Sequence, residues 1–309
     1  MLKKTWIICL LFNLCMQKIS AQNNDFFEKA DPYNAQRITS IAISGSVTYL
    51  LSMYALNKLW YKKHRKKGFH FFNDLREWRA MDKAGHAFTA YQVSLLSYSL
   101  LSWGGMDNTR AALYGAAYAT LFLSSIEIMD AFSEGWGFSV YDVMANTLGA
   151  SLFLGQQLTL TNQAFMLKYS YRINNHPKYR EELLGKSFLQ RAFKDYNGQT
   201  YWLNINPFLL GASSFPQWID FSIGYGASGL LGGHDNSNAD IQIERFSRFY
   251  FSADINQFGL PYSDSYQHAL LYGFNGYKLP LPSIEWNSQN KWRFNPLLLQ
   301  KNLPAIEKN

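Results

Sequence analysis

Three polar signatures interrupt otherwise apolar sequence between Asp82 and Gly149. They are Asp82-Lys83-x-x-His86, Glu127-x-x-Asp130 and Asp142-x-x-x-Asn146-x-x-Gly149. A histidine among carboxylates can move protons, and one near a helix N-terminus tends to stay neutral and serve as a base that Glu127 or Asp130 would orient. The same nitrogen and oxygen donors suit Zn, Mn or Fe. His86, Glu127, Asp130 and Asp142 are therefore the candidates both for catalysis and for a divalent metal, with Asp82, Lys83 and Asn146 as ligand-binding neighbours. No Gly-x-Ser-x-Gly elbow, His-Glu-x-x-His helix or phosphate loop points to a named reaction.

Each of these residues also has a structural use. Asp82 is suited to cap the helix behind it. Ser139-x-x-Asp142 has the spacing of a capping box. Asn146 and Gly149 fit a close helix crossing. Glu127 and Asp130 are different, because carboxylates at the end of a helix oppose its dipole. Something positive should compensate them: Lys83, a charged His86, Arg79 or a metal. Three readings stand side by side, namely a polar structural cluster, a catalytic or ligand site, and a metal site. Farther on, Gly232-Gly233-His234-Asp235-Asn236 reads either as a second polar site or as an ordinary turn.

Residues three or four apart share a helix face, so the signatures must be carried by helices. Apolar runs begin near Lys83, Arg110 and Val140. If these run up, down and up with short connections, the start of the first, the end of the second and the start of the third share one end. An earlier run, Ile38 to Asn57, has no charge and follows Asp31-Pro32, a good helix opening. Ala87 to Met106, Ala111 to Ile126 and Val143 to Leu167 are also uncharged. Each approaches the length that crosses a bilayer. The helices are expected either to span a membrane or to lie on or partly in one.

Composition agrees. Of 309 residues, 17% are aromatic and only 17% charged, which favours membrane contact or a very apolar core. Lys3 and Lys4, an apolar stretch from Trp6 to Leu14, and Ile19-Ser20-Ala21 read as a secretory signal peptide over residues 1–21. Both cysteines, Cys9 and Cys15, fall inside it without a convincing lipobox. Its removal takes the formal charge from +7 to +4 and leaves no thiol for disulfides, zinc–thiolate sites or nucleophilic catalysis. Basic residues concentrate at Lys62, Lys63, Arg65, Lys66, Lys67, Arg76, Arg79 and Lys83. An exported chain excludes nucleic acid as their partner, and anionic lipid headgroups are the better match. With that loop cytoplasmic, the C-terminal part is periplasmic.

After Lys168 the pattern changes. Short helices are expected around Tyr179 to Leu184 and Ser187 to Asp195. Partial alternation in Gln199 to Asn206, Trp218 to Tyr225, Ile241 to Ile255 and Tyr272 to Lys278 suggests a few short strands between Gly- and Pro-rich turns. These strands are too few for a closed membrane barrel. The expected fold class is mainly α. An apolar bundle of about four helices over residues 22–168 precedes an aromatic-rich, irregular α+β region over residues 169–309, packed on the bundle.

The three signatures, together with Trp136-Gly137-Phe138-Ser139 ahead of Asp142, resemble the YfiM-like family of predicted periplasmic lipoproteins, a domain of unknown function. Asn206-Pro207, Gly224-Tyr225-Gly226-Ala227 and Glu244-Arg245-x-x-Arg248-x-Tyr250 resemble its longer bacteroidete members. A weaker similarity runs to VanZ-like membrane proteins, through an Asp-Lys-x-x-His start, a later Glu and a final Asp-x-x-x-Asn-x-x-Gly helix. The resemblance implies a membrane-associated cell-envelope protein whose partner is lipid or another envelope component. It brings no established activity. The cluster is then a structural or ligand-binding site, or alternatively the centre of an enzyme acting on a lipid-linked or cell-wall substrate.

Overall fold

The computed structural model describes residues 27–59, 61, 67–237, 241, 243–261 and 273–297. The signal-like segment 1–21 with Cys9 and Cys15, the basic residues Lys62, Lys63, Arg65 and Lys66, and Tyr272 lie outside the described residues.

Four long helices come first: α1 (Ala35–Leu59), α2 (Met81–Trp103), α3 (Asn108–Ala131) and α4 (Val140–Thr159). Asn34, rather than Asp31, opens α1 by accepting from Arg37 N at 3.0 Å. Asp107 caps α3. Ser139 caps α4 through the Asp142 amide. The α2 helix ends at Gly104-Gly105, where Gly105 takes the positive φ of 89° that its missing side chain permits.

α2, α3 and α4 form a tight three-helix unit because small residues line their contacts. Ala90, Ala112, Ala119 and Ala145 are almost wholly buried. A Cβ on Gly149 would lie 2.0 Å from the Ala87 carbonyl oxygen, so α2 and α4 touch backbone to backbone there. α1 leans on this unit through few contacts, among them Tyr118 Oη donating to Gly45 O and Tyr49 Oη bonded to Ser125 Oγ. Its Ile43, Leu50, Leu51 and Tyr54 stay exposed.

Two short helices, α5 (Glu181–Leu184) and α6 (Phe188–Lys194), fall where the sequence places them. The remainder is a six-stranded antiparallel meander: β1 (Phe165–Tyr171), β2 (Gln199–Ile205), β3 (Ile219–Ser228), β4 (Phe246–Ile255), β5 (Ser283–Asn287) and β6 (Trp292–Asn295). Registers run from Lys168 opposite Trp202 to Gly224 opposite Tyr250 and Glu285 opposite Arg293.

The expectation of a mainly α chain with a bundle of about four helices is therefore wrong. The protein is α+β, with a continuous six-stranded sheet in place of irregular chain with a few strands. Two physical causes explain the difference. β1 hides at the end of the uncharged run Val143 to Leu167, which α4 leaves at Thr159; the turn passes through Thr161 at φ 55°. The sheet also buries its polar side, so in strands such as Ile-Asp-Phe-Ser-Ile-Gly-Tyr-Gly the alternation is present but inverted, with Asp220 and Ser222 inside and Phe221 and Ile223 outside. Of the expected strand Tyr272 to Lys278, the described residues 273–278 contribute a turn and one isolated bridge, Tyr277 to Tyr169.

Candidate functional site

Lys83 is the centre of the site. Its Nζ lies 2.5 Å from Asp74 Oδ2, 3.0 Å from Asp82 Oδ2 and 2.8 Å from Asp142 Oδ1. These carboxylates come from three places: the loop before α2, the first turn of α2 and the first turn of α4. Ser139 adds a bond from its hydroxyl to Asp74 Oδ1, so the cap of α4 is tied to the same loop.

His86, one turn beyond Asp82, joins all three helices of the unit. Its Nδ1 is 3.0 Å from Asn146 Oδ1 on α4 and 3.6 Å from Glu127 Oε1 on α3. Its Nε2 is 3.8 Å from both Asp82 Oδ1 and Asp142 Oδ1. With the Asn146 carbonyl as acceptor, Nδ1 carries a proton and Nε2 is aimed between the two aspartates. A hydrogen bond to the other ring nitrogen orients metal-ligating histidines in the same manner.

The structure thus places His86, Glu127, Asp142, Asp82, Lys83 and Asn146 together. Asp130 sits beside them but bonds elsewhere, accepting from Tyr61 Oη at 2.6 Å. Asp82 does not cap α2. It occupies the second helical position, accepts from Tyr196 Oη at 2.8 Å, and leaves the cap to Ala80, which has no capping side chain. Asp74, Tyr61 and Tyr196 were not picked out by the sequence. Asp74 stands in the sequence as one of the few acidic residues within the basic stretch from Lys62 to Lys83, and the two tyrosines carry no signal beyond their abundance.

The segment that delivers Asp82 and Lys83 is strained. Trp78, Arg79 and Ala80 have φ of 49°, 54° and 58°, a left-handed conformation costing about 1–2 kcal/mol per residue. Tertiary bonds hold it there. Trp78 N donates to Gly233 O, Arg79 donates to Arg245 O, and Tyr225 Oη donates to Arg79 O. The Gly232 to Asn236 loop thereby serves as a clamp. Its Asn236 is spent on backbone groups, and its His234 pairs with Glu77 at 3.2 Å.

Electrostatics follow from burial and crowding. Burial disfavours the charged form of His86, but Asp82, Asp142 and Glu127 outweigh it and raise its pKa above the ordinary value. Burial, then the Asp82 charge, push Asp142 up to about 7. Burial would raise Asp82 too, yet His86 and Lys83 hold it below the usual range. Lys83 is kept charged, because its carboxylates overcome the burial that would discharge it.

These shifts predict a pH dependence. His86 and Asp142 bind protons more tightly folded than unfolded, so their contribution is full below the unfolded values and is lost as pH rises through the folded ones. Asp142's share should fade from pH 3.8 to about 7, and that of His86 above 6.5. Asp82 acts oppositely, stabilising above 3.8 and less as pH falls through its lower folded value. Melting of the purified chain in detergent should be highest in mild acid and fall towards alkaline pH, by up to about 1.4 kcal/mol per pH unit per group. His86→Gln should flatten the decline above 6.5. A melting point that rises from pH 5 to 8 would contradict this.

Asp82, His86 and Asp142 also present donor atoms within 4.8 Å of one another, a spacing one cation could bridge. Lys83 already holds the two carboxylates of that set, so a metal would have to displace its ammonium. Both Glu127 oxygens, in a residue only 1% exposed, lack a hydrogen-bond partner among the described residues.

Residues 67–154 match the model of a family described as "Predicted periplasmic lipoprotein" (DUF2279). That stretch contains α2, α3, most of α4 and every cluster member except Tyr61 and Tyr196. It supports a cell-envelope protein. No curated protein and no solved structure matches the chain.

Proposed function

We propose that this is a membrane-associated protein of the cell envelope, exported by its N-terminal segment. Its Lys83 cluster locks three helix ends and offers a binding site to a lipid or another envelope component. The observation that carries the reading is one ammonium held by carboxylates from three separate segments, with Glu127 buried near His86 and without a hydrogen-bond partner among the described residues. A buried ion network fixes one arrangement of its elements, and breaking it is expensive. Its open side is at Asp82 and His86, whose side chains are 25% and 17% exposed.

Membrane association draws on α1 and α3, both long and apolar enough to cross a bilayer. On this reading the cluster, gathered at the start of α2, the end of α3 and the start of α4, lies at the membrane boundary. The YfiM-like and VanZ-like resemblances point the same way. A carbonate wash of isolated envelopes should leave the mature chain in the pellet; full release would refute membrane embedding.

The metal arrangement of Asp82, His86 and Asp142 favours a second reading, metal-assisted or acid–base chemistry on a lipid-linked or cell-wall substrate. A His86 held in its charged form serves as an acid better than as a base. Titration of the purified chain with MnCl2 and ZnCl2 separates the two readings. The binding-hub reading expects no stabilisation of the wild type and metal binding only in Lys83→Gln. Stabilisation of the wild type by about 2.7 kcal/mol at a hundredfold excess over the dissociation constant would establish the metal reading instead.

A further inference from the structure

The sheet is inside out. On its buried face Asp254 pairs with Lys168 at 2.9 Å and Lys278 at 3.5 Å, all with side-chain exposure of 0%. Asn204 bonds both Asp254 and Asp220, and Asn206 and Asn256 also bond Asp220. Farther along, Arg248 donates to the Asn197 and Ala227 carbonyls, and Asn295 to Glu285.

On the opposite face the alternate positions are apolar. Phe221, Ile223, Phe251, Ile284 and Phe294 are 46–65% exposed, and no charged residue shares their face in β3 or β4. A sheet folding in water does the reverse. It buries its apolar side and solvates its charges, because an ion out of water needs full compensation.

We propose that the outer face of β3–β6 lies against the hydrocarbon of a lipid bilayer, as the lipid-facing side of a membrane β-structure does. Lipid, rather than a protein partner, fits the continuity of the apolar surface. The face adjoins α2 across a cavity of about 400 Å³ lined by Ala84, Ala87, Phe88, Leu203, Ile223 and Phe249. The helix unit beyond it also exposes large apolar side chains, such as Leu121 on α3 and Leu148 on α4. The inference rests on the polarity of the sheet and is independent of what the Lys83 cluster binds.

The test places nitroxide labels on the full chain in phosphatidylethanolamine–phosphatidylglycerol vesicles. With Cys9→Ser and Cys15→Ser removing the native thiols, single cysteines are introduced as Ile223→Cys, Phe251→Cys and Ile284→Cys, with Ser213→Cys as an exposed loop control. The three sheet labels should collide with oxygen several-fold more, relative to a water-soluble nickel chelate, than the control does. Equal nickel access at all four positions would overturn the proposal, and so would protection from both reagents, which would mean a protein covers the face. A bilayer-dissolved carbene reagent applied to the wild type removes dependence on the variants. It should label peptides from residues 219–228, 246–255 and 283–295. Labelling confined to α1 and α3 would also overturn the lipid-facing sheet while leaving membrane-embedded helices intact.

Discussion

Lys83→Met will cost the folded protein about 3–5 kcal/mol, the range for removing one partner of a buried ion pair. Lys83 is 11% exposed, and the 9% and 6% exposed Asp74 and Asp142 would be left facing each other with only His86, 3.8 Å from Asp142, as a nearby cation. The loss is larger than that of a surface bridge, worth about 0–1 kcal/mol, because water cannot reach in to replace the ammonium. Denaturant unfolding in detergent, read by tryptophan fluorescence, measures it. Adding Asp142→Asn to Lys83→Met should recover part of the loss, since it removes one of the stranded charges. A Lys83→Met protein as stable as the wild type would show that the ion contacts are idle.

The second large effect needs no charge. Gly149→Ala puts a methyl group where the Ala87 carbonyl oxygen already stands, 2.0 Å from the new Cβ. The obstacle is backbone on a packed helix, so α2 and α4 must separate, at the upper end of the ~1–3 kcal/mol typical of overpacking. Asn146 lies one turn earlier on α4, and the separation would also lengthen its bond to His86. Gly155→Ala is the contrasting variant. Nothing lies within 4 Å of its new Cβ, and the helix should gain up to about 1 kcal/mol from the better helix former. Thermal unfolding of the two variants should therefore move in opposite directions, and a shared direction would refute this view of the crossing.

What the sequence exposed and what it hid have physical reasons. Helical spacing with short connections was enough to bring Asp82, His86, Glu127 and Asp142 to one end of α2–α4, because an antiparallel helix unit has little freedom once its directions alternate. The role of Asp82 was not legible. Its position suggested a cap, but the left-handed run Trp78 to Ala80 starts the helix two residues earlier, and that run depends on Gly233, Arg245 and Tyr225, far along the chain. Asp130 was grouped with Glu127 by spacing, yet Tyr61 captures it. The sheet was underestimated because the usual sign of a strand, apolar residues towards the core, is reversed in it. Lys168, Asp254 and Lys278 fill the interior, where charges are not expected without full compensation.

The most direct measurement is the double-mutant cycle of His86→Ala and Glu127→Gln. If the cluster is one coupled unit, the two side chains, 3.6 Å apart with Glu127 1% exposed, share a single interaction. Each single variant then lowers stability, and the double variant loses less than the sum, with a coupling of roughly 0.5–3 kcal/mol. Losses that add to within about 0.3–0.5 kcal/mol would show that the histidine and the glutamate act separately, and that no such unit exists.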